Sequence, residues 1–123
     1  MKNTSPKPIY SKAESINLAL RSHTELQSFH LQRDTHTGLR THPTFDLHLT
    51  LAHPKDSAKT LTVLFHDVQN LELNPNGESF HQLLHLQIAD LSDDRLDRIR
   101  FSVEELERET LFLHCASLEL LQP

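Results

Sequence analysis

LTVLFHDVQNLELNPNGESFHQLLHLQIADLSDDRLDRIRFSVEELERETLFLHCASLELL, residues 61–121, carries the strongest structural signal in the chain. Apolar side chains recur in it at every second position. Leu61, Val63 and Phe65 form one such set, followed by Leu84, Leu86 and Ile88, then Ile99, Phe101 and Val103, then Leu111, Leu113 and Cys115. Successive side chains of a strand point to opposite faces, so this alternation writes a half-buried antiparallel sheet. The phase slips at His66-Asp67, before Val68, Leu71 and Leu73, where a bulge or tight bend is expected. It slips again after Cys115, before Leu118 and Leu120. Asn74-Pro75-Asn76-Gly77 reads as a turn, because Asn76 or Gly77 can take a positive φ.

Upstream of this stretch, Phe45, Leu47, Leu49 and Leu51 alternate with Asp46, His48 and Thr50 in the cleanest strand pattern of the chain. His53-Pro54-Lys55-Asp56 turns it, since proline cannot donate to a continuing ladder. Leu26 to Gln32 reads as a strand with Phe29 and Leu31 inward, and His36 to Pro43 as a loop. Ser11 and Glu14 form a capping box, after which Ile16, Ala19 and Leu20 share one helical face to about Arg21. A strand competes there, because Ile16, Leu18 and Leu20 also alternate. Residues 1–9, with two prolines and two lysines, read as a disordered start. The expectation is therefore one mainly β domain over residues 1–123 with one short N-terminal helix. Six to seven strands form an antiparallel meander, curled into a sandwich or partly open barrel. Its expected core is Phe45, Leu47, Leu49, Leu51, Leu61, Val63, Phe65, Leu84, Leu86, Ile88, Phe101, Val103, Leu111, Leu113 and Cys115.

Composition narrows the function. With 123 residues the chain can bury a real core without staples, and 23 leucines supply it. Net charge of −5 disfavours binding to a phosphate backbone and suits a basic protein partner. Two glycines, Gly38 and Gly77, are too few for a nucleotide cradle. A single cysteine and the absence of a signal-peptide pattern point to the cytoplasm.

Ten histidines raise the question of metal. His81 and His85 are the closest pair in sequence, but along a strand they would stand about 13 Å apart. With His48 and His66 they are the metal candidates, and they support a runner-up reading as a metal-dependent or small-ligand-binding protein. Half-exposed strand and loop histidines are the simpler reading, and no cofactor is expected. Asp46 and His48 on one strand, with His66 and Asp67 near the end of another, could bring carboxylate and imidazole together for acid–base work. No serine or cysteine has flanks that would make it a nucleophile, and Cys115 lies in phase with the buried side of its strand. The acidic stretch from Asp90 to Glu109 reads as an exposed rim, with Asp93, Asp94, Glu104 and Glu105 foremost in facing a basic partner.

Read in order, Leu-Thr-Val-Leu-Phe-His-Asp-Val, then Leu-Glu-Leu and an Asn/Gly turn, then a strand ending in Asp-Leu-Ser-Asp, then Phe-Leu-His-Cys-Ala-Ser-Leu-Glu-Leu, this half of the chain resembles a known group. It is similar to small β-rich bacterial proteins grouped with the immunity proteins of polymorphic toxin systems. The resemblance implies a cytoplasmic, non-enzymatic protein that binds and neutralises a cognate toxin. It carries over no functional residue, because the matching positions are core positions.

Overall fold

The computed structural model describes residues 12–34, 43–74, 81–94 and 98–121, with Asp93 described in its backbone alone. The Ser11 cap, residues 1–9, most of the 36–43 loop and the Pro75-Asn76-Gly77 turn lie outside these residues. The helix α1 spans Lys12–Leu20 and buries Ala13, Ile16 and Leu20, while Leu18 is 49% exposed. Burial at intervals of three and four residues is the helical period, so the alternating reading of this segment loses.

Among the described residues eight strands follow: β1 (Glu25–Asp34), β2 (Thr44–His53), β3 (Asp56–His66), β4 (Gln69–Leu73), β5 (Leu86–Asp90), β6 (Phe101–Glu105), β7 (Leu111–Cys115) and β8 (Ser117–Leu121). They form two antiparallel four-stranded sheets, in the orders β1-β2-β3-β8 and β4-β7-β6-β5. That is one strand more than the upper sequence count, because the phase slips divide what the alternation runs together.

Those slips are where the chain changes sheet. Only Asp67-Val68 separates β3 from β4, and only Ala116 separates β7 from β8. Since β3 pairs with β8 and β4 with β7, the two segments bend together and carry one ribbon from the first sheet into the second. Asp67 takes φ 57° at the bend, and the Ala116 N–H donates to the His66 carbonyl at 2.9 Å. Opposite this corner, Glu25 bridges to Gln82 and the Leu83 N–H donates to the Thr24 carbonyl at 2.8 Å. The sheets touch at both corners without closing a barrel.

One core fills the space between them. The first sheet supplies Leu47, Leu49, Leu51, Leu61, Val63, Phe65 and Leu118; the second supplies Leu86, Ile88, Val103, Leu111, Leu113 and Cys115. Each fully buried side chain of this size contributes about 1.5–3 kcal/mol, so the two inner faces together select the register.

Four core expectations need correcting. Phe45 keeps the face of Leu47 but is 40% exposed at the rim of the core, and Leu31 is likewise 41% exposed. Phe101 is half-buried. Leu84 is 40% exposed and Leu83 is buried in its place. The strand there starts only at Leu86, so residues 84–85 form a turn and the alternation does not extend to them.

Candidate partner-binding face

The inward side chains Val103, Leu111 and Leu113 hold β6 and β7 against the core, so Glu104 and Phe112 face outward. Register places Glu104 opposite Phe112, and Phe112 opposite Glu72 of β4. Three strands thus set a carboxylate on either side of an aromatic ring.

The turn after β6 adds a third carboxylate, and Glu105 shapes that turn. Its side chain follows Val103 inward and is fully buried. Its Oε1 accepts the Arg108 N–H at 2.6 Å, and its Oε2 accepts the N–H groups of Glu107 at 3.0 Å and His85 at 3.1 Å. Burial pushes the carboxyl upward, but these donors and the Thr110 N–H outweigh it and hold Glu105 below the usual carboxylate range. Glu109 then takes φ 55°. Its carbonyl accepts from Asn74 Nδ2 at 3.1 Å, while the Asn74 N–H donates to the Thr110 carbonyl at 2.9 Å.

The result is a shallow depression of about 240 Å³ lined by Glu72, Asn74, Glu104, Glu109, Leu111 and Phe112. Among the described residues no ion pair neutralises Glu72, Glu104 or Glu109. Unpaired carboxylates around an aromatic face suit a guanidinium or ammonium group, through charge-assisted hydrogen bonds and cation–π attraction.

The expected acidic rim is partly rearranged. Glu104 lines the depression, and Asp94 is exposed in a short 3-10 turn, Ser92–Asp94. The Asp93 side chain lies outside the described residues. Glu105 is corrected from an exposed docking residue to a buried structural one. Glu109 belongs to the expected acidic stretch, whereas Glu72 and Phe112 do not stand out in the sequence, because β4 meets β7 only through long-range pairing. The one local signal was Glu72 itself, out of phase between Leu71 and Leu73.

The histidine candidates divide differently. Asp46, His66 and Asp67 do meet: Asp46 Oδ1 accepts the Asp67 N–H at 3.1 Å, and its Oδ2 lies 3.3 Å from His66 Nδ1. His66 Nε2 reaches Glu119 at 3.5 Å, and the Asp67 carboxylate receives Arg98 Nε and Nη2 at 2.9 and 2.6 Å. This chain of contacts pins the bend between the sheets. His48 stands apart from it, opposite His30. His81 and His85 precede β5 instead of lying along it, so the strand spacing expected for them does not apply. Among the described residues no group of three or more His, Cys, Asp or Glu side chains is arranged to hold a metal ion. Cys115 is buried, and desolvation, assisted by the Asp67 charge, pushes its thiol up to about 12. That keeps it out of nucleophilic chemistry.

Set against known proteins, the family model for Immunity protein PIM8 matches residues 11–120. No curated protein and no solved structure matches the chain.

Proposed function

The chain belongs to the Immunity protein PIM8 family, and from that membership we propose that it binds a cognate toxin in the cytoplasm and neutralises it by occupation rather than by catalysis. The family match over residues 11–120 is the observation that carries this reading. On this reading the outer face of the second sheet is the docking surface, with Glu72, Glu104 and Glu109 around Phe112 facing a basic region of the toxin. A basic side chain seated against Phe112 would exchange water for three carboxylates, a contact that both steers encounter and selects the partner.

The test is co-production with the product of the neighbouring open reading frame. Protection of host growth together with a complex that co-purifies supports the proposal. A host left unprotected and no complex between the purified proteins refutes it for that pair.

A further inference from the structure

His30 of β1 stands directly opposite His48 of β2. Leu47 and Leu49 fill the core on either side of His48, so both imidazoles lie on the outer face of the first sheet. Their rings meet edge to face with centroids 6.2 Å apart. The Nδ1 of His48 is buried and has no hydrogen-bond partner. Leaving such an atom unsatisfied is costly, and a water or an ion is the usual resolution. Among the described residues no hydrogen bond holds either ring, so each can turn without breaking one.

The surroundings favour a cation. Asp46 lies two positions along the same face of β2, and Glu119 completes the cross-strand row His30, His48, Leu64, Glu119. Asp46 is already engaged by the Asp67 N–H and His66, so it acts as a neighbouring charge and not as a ligand.

We propose that His30 and His48 form a two-imidazole clamp for a divalent transition-metal ion, Cu²⁺ before Zn²⁺. Imidazole suits both metals, and the Irving–Williams order ranks copper first. Metal–nitrogen bonds of about 2.0–2.1 Å set two ring centroids about 5 Å apart around a tetrahedral ion, and closer around the tetragonal geometry Cu²⁺ prefers. The rings therefore close by about 1 Å or more. The remaining coordination positions face outward, toward water or a ligand on a partner. With two protein ligands the clamp is weaker than a structural zinc site. It lies on a different sheet from the acidic depression and does not depend on toxin binding.

Protein without an affinity tag is titrated with Cu²⁺ and with Zn²⁺ by calorimetry, and Cu²⁺ broadening of the histidine ring signals is followed by NMR. The expected result is one Cu²⁺ per chain, with His30 and His48 broadening first and Zn²⁺ binding more weakly. His30→Ala and His48→Ala should each weaken Cu²⁺ binding by about tenfold or more, while His66→Ala, on the same face, should bind as the parent does. Because His30 is exposed, its variant is a sound test even if the His48 variant folds poorly. Unchanged affinity in the His30 variant, or first broadening at other histidines, would overturn the clamp.

Discussion

The side-chain amide of Asn17 does for Ile88 what a neighbouring strand would do. Asn17 Oδ1 accepts the Ile88 N–H at 2.8 Å, and its Nδ2 donates to the Ile88 carbonyl at 2.9 Å. Ile88 lies on β5, an edge of the second sheet, and open edges template pairing with other chains. One helical side chain thus closes both backbone groups of a strand residue while α1 seats Ala13, Ile16 and Leu20 in the core.

Replacing Asn17 by Ala should therefore cost about 1–3 kcal/mol, since two partly buried backbone groups lose their partners. Asn17→Asp keeps an acceptor and loses the donor, so it should fall between the two. Urea midpoints at constant slope measure the cost. A parental midpoint in Asn17→Ala would show that water replaces the amide without loss.

Glu105 should control acid stability. Its carboxyl is held below the ordinary range in the folded protein, so the unfolded chain takes up the proton first as pH falls. The stabilisation is complete at neutral pH and is lost as pH descends through the carboxylate range toward the folded value. Glu105→Gln should lower stability by about 2–4 kcal/mol at pH 7 and flatten the decline on acidification. Thermal melts from pH 7 to pH 3 on both proteins give the comparison; equal slopes would assign acid sensitivity to other groups.

The acidic depression should set association rate more than affinity. Glu72→Gln, Glu104→Gln and Glu109→Gln together remove like charges from an exposed surface, so the fold should persist. Association with a basic partner should slow at low salt, and the difference from the parent should shrink as the Debye length falls from about 10 Å at 0.1 M to about 3 Å at 1 M. Stopped-flow mixing reads both. A triple variant that associates at the parental rate in low salt would move the docking surface elsewhere.

Cys115 should report on opening of the core. With its thiol raised to about 12 and buried between the sheets, it should resist thiol reagents in the native state. Labelling should follow the denaturant transition. Rapid labelling of the native protein would mean that the second sheet opens locally at little cost.

Much of the architecture was legible because periodicity is a local property. Leu47, Leu49 and Leu51 declare their face without knowing what covers it, and the slips at Asp67 and after Cys115 announced the places where the ribbon bends. Even Glu105 was written in phase: Phe101, Val103 and Glu105 alternate, so parity alone sends its side chain inward. Its charge argued the other way, because a carboxylate is almost never buried unless donors surround it. Those donors come partly from His85, on a segment that reaches Glu105 only after the sheets have assembled.

The mainly β character, the inward face of most strands, the N-terminal helix and the acidic balance are local properties that the residues carry on their own. Which outward residues stand together depends on how the strands pair. Glu72 joins Phe112 through the β4–β7 pairing, and His30 meets His48 through the β1–β2 register. Alternation tells each side chain its face, but a period of two is the same for every partner strand, so it cannot say which one it will lie beside.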